Sequence, residues 1–531
     1  MVDYSKNLHH QHKNHHNLHQ TINTMSLSSS EELGRYRAFL KQGAKIMSTS
    51  AAEDLATSSL FTWDIKEYAA RKYAKNVLEQ YSVLGYDSEC AENGDDNEQL
   101  DPIFINTNAP WSAFICGSQG SGKSYSMSCM LESFFSDSPD IGNLRKPLTG
   151  IVFHYDTNSR GGVCEAAYLC TRKGTNVRVL CSPSNIHSLR ETYTKKFPDA
   201  KNKLRVEELK FHASHLNVER IKMLMALNDT DGEVPLYMEV FTRILRELAI
   251  AFPGRTGVNY IEFKKRVQQE GFARSQTGPM NLRMDLLESF MDLGSEDKWE
   301  ISAFQNTKPK RKFEGGPKST YFQQRTEDKF AEQKGPALDI FKSEPGEVII
   351  VDLTDPCIDK SSACILFDIC LGLFCEYNPG GETVVALDEA HKFMNSSSAA
   401  KNFTESLIKV IRLQRHLGSR IIIATQEPSI SSDLIALCSM TIVHRFKSPE
   451  WFEYLRKVVG DLSQLTEQDR NNIFRQITRL RTGESLVFSN DSFIRLNNGI
   501  PERLGTDHFR MQTRMRLTED GGGSVLAIKS E

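Results

Sequence analysis

The stretch that most constrains this chain runs from Trp111 to Tyr125, WSAFICGSQGSGKSY. An apolar run, Ala113-Phe114-Ile115-Cys116, leads into Gly117-Ser118-Gln119-Gly120-Ser121-Gly122-Lys123-Ser124, which fills every fixed position of the pattern G-x-x-x-x-G-K-[ST]. The run predicts a buried strand, a tight loop and then a helix from Ser124 to Phe135. Glycines at Gly117, Gly120 and Gly122 permit backbone angles that a Cβ forbids, so successive amide N–H groups can turn inward around a phosphate. The helix opening near Lys123 adds the positive end of its dipole and its unpaired N–H groups. Lys123 offers a point charge to β- and γ-phosphates, and the Ser124 hydroxyl can ligate Mg²⁺.

Around this loop the sequence alternates strands and helices. Gly150 to Asp156, Val177 to Leu180, Glu347 to Leu353, Thr383 to Leu387, Arg420 to Thr425 and Thr441 to Phe446 read as buried strands, with helices over Ala363 to Cys375 and Lys401 to Leu417. Such alternation implies an α/β fold with a mainly parallel sheet covered on both faces. Gly483 to Ser489 has the look of a hairpin. The Thr383 strand ends in Asp388-Glu389-Ala390-His391, which places two carboxylates at the edge where parallel sheets put ligands. Asp388 suits the Mg²⁺ shell, and Glu389, one residue on, suits the base that deprotonates a water attacking a γ-phosphate. Gln426 closes the Arg420 strand at the same edge and suits sensing of the γ-phosphate or positioning of the water.

The remaining segments are of other kinds. Residues 1–50 are rich in His, Asn, Gln and Ser, with six of the 14 histidines between His9 and His19, and read as a disordered arm. Residues 51–102 read as a segment of one or two amphipathic helices, carried by Leu60, Phe61, Ile65, Tyr68, Tyr73, Val77, Leu78 and Tyr81. An acidic linker over Asp87 to Asp101, with seven acids and no base, follows. The nucleotide-binding core then spans 103–189 and 345–505. Between the two halves, 190–344 reads as a helical insertion, from the helical spacing of Ile221, Leu224 and Leu227, of Val240, Ile244 and Leu248, and of Leu282, Leu286 and Phe290. It ends in a Lys-rich loop, Lys308 to Lys334, that suits contact with a nucleic-acid backbone and equally a solvated surface. Residues 506–531 read as a C-terminal tail.

The bulk numbers bound what else is open. At 531 residues, with 39% hydrophobic and 25% charged side chains, this is the composition of an ordinary globular protein. A net charge of −3 gives no global sign of nucleic-acid binding. The 11 cysteines, scattered and without a C-x-x-C pair, fit reduced buried thiols in an intracellular, cytoplasmic or nuclear setting. No apolar run approaches the length of a membrane span.

Taken together, GSQGSGKS at Gly117 to Ser124, VVALDEAHKF at Val384 to Phe393, RLQRHLGSRIIIATQEPS at Arg412 to Ser429, the run ending in TIVHRF at Phe446 and GESLVF at Gly483 to Phe488 resemble the HerA/FtsK-type ATPases of the additional-strand, catalytic-glutamate class. The resemblance implies a RecA-like core that hydrolyses ATP with Mg²⁺, in a homo-oligomeric, hexameric ring that moves DNA. It also implies an arginine from the neighbouring subunit in each site: Arg415 matches the family's basic position, with Arg412 and Arg445 as alternatives. The β-barrel that precedes the core in the HerA branch has no counterpart in the pattern here. An alternative is a nucleotide-switched assembly or scaffold ATPase that acts on protein partners without nucleic acid. The letters Asp388-Glu389-Ala390-His391 also spell a helicase box. Ala424-Thr425-Gln426 in place of Ser-Ala-Thr, and the absence of Q-x-x-G-R-x-G-R, argue against that class.

Overall fold

A computed structural model of the chain describes residue 37 and residues 51–73, 77–89, 100–158, 162–212, 215–225, 236–251, 257–272, 274–292, 340–463 and 466–519. The His-rich arm, most of the acidic linker, Leu227 and the Lys-rich loop lie outside them. Contacts divide the chain into Met1–Leu55 and Ala56–Glu531. In the first unit, residues 51–55 are helical.

The second unit is built on one sheet. Its strands are β1 Leu60–Thr62, β2 Tyr81–Asp87, β3 Pro102–Asn106, β4 Ser112–Cys116, β5 Gly142–Asn143, β6 Thr149–His154, β7 Asn176–Cys181, β8 Leu204–Glu208, β9 Glu347–Asp352, β10 Thr383–Leu387, β11 Ser419–Thr425, β12 Met440–His444, β13 Glu484–Phe488, β14 Phe493–Asn497, β15 Ile500–Arg503 and β16 His508–Thr513. They lie in the order β15-β14-β1-β3-β2-β16-β13-β12-β4-β11-β10-β6-β9-β7-β8, with β5 beside β2. Every pairing from β8 through to β12 is parallel. From β12 to the other edge the pairings are antiparallel, except β1 with β14.

The parallel half is covered on both faces, as its apolar runs require. Alternate side chains go to opposite layers: Phe153, Val351, Leu387 and Ile423 pack on one face, and Val152, Ile350, Ala386 and Ile422 on the other. The first face is roofed by the helices Lys360–Tyr377 and Ser398–Leu417, the second by Lys123–Phe135. Four helices, Val218–Met225, Leu236–Ala251, Tyr260–Gln269 and Arg274–Ser289, add their apolar faces to the first layer. In the last of them the buried stripe is Met280, Met284 and Leu287, whereas Leu282 is 72% exposed. The spacing of leucines alone puts this helix out of phase, because methionines fill its core positions.

Three expectations are corrected. Residues 51–102 contain a helix, Trp63–Lys72, but Leu60 and Phe61 and the residues from Tyr81 to Asp87 are strands. Their aromatic residues pair across the sheet: Phe61 stacks on Phe104 at 5.5 Å and Tyr81 meets Phe104 edge-on at 5.2 Å. Cross-strand contacts of this kind outweigh helical spacing. Residues 506–531 are not simply a tail, since β16 lies between β13 and β2 with Met511 fully buried. The core also extends past residue 189, because β8 pairs in parallel with β7 as the sheet's last strand.

Candidate active site

Three parallel strands end at one edge. β4 runs into the glycine loop, β10 into Asp388 and Glu389, and β11 into Gln426, with Thr425 opposite Cys116 and Leu387 opposite Ile423. β11 is inserted between the loop-bearing strand and the acid-bearing strand. The arrangement is an α/β fold whose mostly parallel sheet brings these three strand ends to one edge.

The loop is shaped by its glycines and by its neighbours. Gly120 and Gly122 take φ of +73° and +112°, and a Cβ on Gly122 would stand 2.8 Å from the backbone nitrogen of Gly483. Among the described residues a Cβ on Gly120 would meet nothing within 4 Å, so there the constraint is the positive φ alone. The loop is pinned from the β12–β13 side. Ser118 donates to the Arg445 carbonyl from its backbone nitrogen (2.9 Å) and its hydroxyl (2.8 Å), and Gly483 donates to the Ser121 carbonyl (3.1 Å). Gly122 caps the Lys123–Phe135 helix in a left-handed conformation, so the first N–H groups of the helix face the loop.

Lys123 is 4% exposed and donates to the Ser118 carbonyl at 3.1 Å. Burial pulls its pKa down, and the charges of Glu389 and Asp388 oppose that. Both acids therefore act on the loop lysine across β11. Burial pushes the Cys116 thiol up to about 12, so it stays protonated at the base of the loop.

Asp388 is 4% exposed and, among the described residues, its Oδ1 has no hydrogen-bond partner, which suits a cation ligand. Glu389 takes φ of +51°, rare for a side-chain-bearing residue, at the turn before Ala390–Lys392. Such a conformation costs about 1–3 kcal/mol and persists where surroundings hold it. Here Gln426 does so: its Nε2 donates to Glu389 at 3.3 Å (Oε1) and 3.1 Å (Oε2). The Gln426 backbone nitrogen donates to His391 Nδ1 at 3.4 Å, and that nitrogen lies 3.3 Å from Glu389 Oε2. Burial lowers the pKa of His391 against the charges of Glu389 and Glu427. Ser124, half-buried, follows Lys123 at the head of the helix.

The arginines are not gathered here. Arg412 and Arg415 are exposed near the C-terminal end of the Ser398–Leu417 helix, which hands over through Gly418 to the start of β11. Seven strand residues separate that end from Gln426, roughly 20 Å at about 3.3 Å per residue. Arg445 lies beside the loop, where its carbonyl accepts from Ser118.

Sequence reading missed two supports. His444, fully buried, bonds Ser126 Oγ through Nε2 (3.1 Å) and the Glu484 carbonyl through Nδ1 (2.9 Å), and burial depresses its pKa to about 4. Glu132, fully buried on the loop helix, accepts from Arg514 (2.7 Å), the backbone nitrogens of Leu517 (3.0 Å) and Thr518 (2.9 Å), and the Thr518 hydroxyl (2.7 Å). Burial alone would raise its pKa, but the Thr518, Arg514 and Leu517 contacts bring it below the usual value. The only signal for this pairing was that Glu132 is the one acid of the loop helix, set between Leu131 and the Phe134-Phe135 pair.

No family model matches the sequence, and no curated protein matches it. Among solved structures, the chain is similar to VirB4 of Thermoanaerobacter pseudethanolicus, at 11% identity over 82% of this chain and 96% of that one, with a TM-score of 0.45. It is also similar to the genome-packaging NTPase B204 of Sulfolobus turreted icosahedral virus 2, solved with AMPPCP, at 14% identity over 29% of this chain and 68% of that one, TM-score 0.21. A third is the cytoplasmic domain of the Type VII secretion ATPase EccC of Thermomonospora curvata, at 11% identity over 82% of this chain and 28% of that one, TM-score 0.25. Among the described residues, no helix is long and apolar enough to cross a membrane.

Proposed function

We propose that this chain is an ATP-hydrolysing motor of HerA/FtsK type that works on DNA as a homo-oligomeric ring, with six subunits and the nucleotide between neighbours. The observation that carries the reading is Glu389, held by Gln426 at the same sheet edge as the glycine loop and electrostatically coupled to Lys123. In this reading the amides from Gly117 to Ser124 cradle the β- and γ-phosphates, and Lys123 neutralises their charge. Ser124 and Asp388 would hold Mg²⁺, which would supply neutralisation of the phosphate charge. Glu389 takes a proton from the attacking water. Gln426 fixes which lobe of that carboxylate faces the phosphate.

Arg415 stands at the sheet edge away from its own cradle, which suits a role toward an adjacent subunit and not in its own site. Stabilisation of transition-state charge by such an arginine is worth about 10³–10⁵ in rate.

The test is ATP hydrolysis by wild type and Lys123→Ala, with and without double-stranded DNA over a salt series. Hydrolysis lost in the variant, with DNA stimulation that falls steeply with salt, supports the proposal, since phosphate contacts release counterions. Equal rates in the two proteins overturn the site. Hydrolysis indifferent to DNA at every salt concentration overturns the DNA motor and leaves an ATPase that acts on protein partners.

A further inference from the structure

Beside the acid pair, three side chains of different chemistry converge. His154 ends β6, Cys164 precedes the Glu165–Thr171 turn, and Asp388 follows β10; one nitrogen, one sulfur and one carboxylate oxygen from them lie within 4.8 Å of one another. Cys164 is fully buried and Asp388 is 4% exposed. Among the described residues Asp388 Oδ1 is buried without a hydrogen-bond partner, and His154 Nδ1 has no partner closer than Asp388 Oδ2, 3.4 Å away. An unsatisfied buried polar atom costs about 1–3 kcal/mol, so an orphaned carboxylate oxygen beside an imidazole and a thiol needs a reason.

A magnesium ion accounts for only part of this. It takes oxygen ligands in octahedral geometry and has no use for an imidazole and a thiol. A nitrogen, a sulfur and an oxygen within 4.8 Å of one another are instead the donor set of a borderline cation, and three protein ligands leave a fourth position open. We propose that His154, Cys164 and Asp388 form a binding site for a divalent cation of the zinc class. On binding, the Cys164 thiol releases its proton to solvent as the sulfur–metal bond forms, and neutral His154 and ionised Asp388 donate lone pairs.

The surroundings are built to hold these ligands. The Tyr193 hydroxyl accepts from the Cys164 backbone nitrogen at 3.1 Å and donates to Asp352 Oδ2 at 2.6 Å, while Asp352 lies opposite His154 in the β6–β9 register. Tyr193 and Asp352 are fully buried, so the backbone at both His154 and Cys164 is fixed before any ion arrives. Motif spacing gave no hint of the site, because its members come from three separate elements. The binding itself does not depend on the ATPase reading. If that reading holds as well, zinc and magnesium compete for Asp388, and zinc slows hydrolysis.

The experiment is a cadmium titration of the full-length chain, followed by the ultraviolet thiolate-to-cadmium absorption, with zinc as competitor. The expected result is one equivalent of zinc-displaceable absorption that Cys164→Ser and Cys164→Ala both remove and His154→Asn weakens at least about tenfold. The His-rich segment near the N-terminus can take up metal without a thiolate band; uptake of that kind alone, or a band unchanged in both Cys164 variants, overturns the proposal. X-ray absorption at the zinc edge of the wild-type protein serves if the variants fold poorly. One sulfur at about 2.3 Å among nitrogen and oxygen neighbours supports the site, and a shell without sulfur overturns it.

Discussion

The two halves of the sheet use the same chain in opposite ways. From β8 to β12 the strands are parallel, buried on both faces, and send their C-terminal ends to one edge where every chemical group of the candidate site collects. From β13 to β15 they are mainly antiparallel, drawn from segments as far apart as residues 60 and 513. There they end in a pair with Leu496 and Ile500 at 38% and 60% exposure. Neither the glycine loop nor the acids stand on that half. What it contributes is support: Gly483 and the segment after β16 brace the loop and its helix from behind, and the Glu484 carbonyl holds His444 at the seam. Residues at the parallel edge should therefore govern turnover with little effect on folding, and residues at the brace should do the reverse.

The largest expected effect belongs to the brace. Glu132→Ala leaves Arg514 buried without its carboxylate and should lower unfolding free energy by roughly 3–5 kcal/mol, read as a shift in the urea midpoint; a midpoint within error of wild type would erase the contrast between the halves. Glu389→Gln should keep that midpoint while slowing ATP turnover by at least about 10²-fold. Gln426→Ala should slow turnover about tenfold, the scale of one hydrogen bond to a charged group, with the midpoint again unmoved.

At the seam between the halves, His444 gives a smaller and sharper test. Its folded-state pKa of about 4 lies below the ordinary 6.5, so as pH falls the unfolded chain takes up the proton first. Its contribution to stability is complete above pH 6.5 and is lost as pH falls toward 4. In His444→Gln, the slope of stability against pH in that window should be shallower by up to one proton. At the far edge, Ile500→Ser should change stability by no more than about 0.5 kcal/mol, measured the same way.

This division also explains what could be read in advance. The parallel strands announce themselves because burial on both faces demands continuous apolar runs such as Val348 to Val351 and Ile421 to Ala424, and the loop's glycines sit at fixed spacing. The pieces of the antiparallel half are short and aromatic, and Leu60, Phe61 and Tyr81 can be fitted to helical spacing until Phe104 is known to lie between them. β16 looked like loose chain because its partners, β13 and β2, do not adjoin it in sequence. The grip of Gln426 on Glu389 was legible only as two polar residues at two strand ends; their bond depends on the register of β10 with β11.

The clasp on Glu132 has a consequence for the order in which the protein matures. The helix that caps the glycine loop is synthesised early, yet the groups that neutralise its buried acid, Arg514, Leu517 and Thr518, are almost 400 residues further along. A ribosome-bound chain paused short of that point has the loop helix but lacks the groups that neutralise its buried acid, so the wall behind the loop is complete only once Thr518 has been added and not when the loop first emerges.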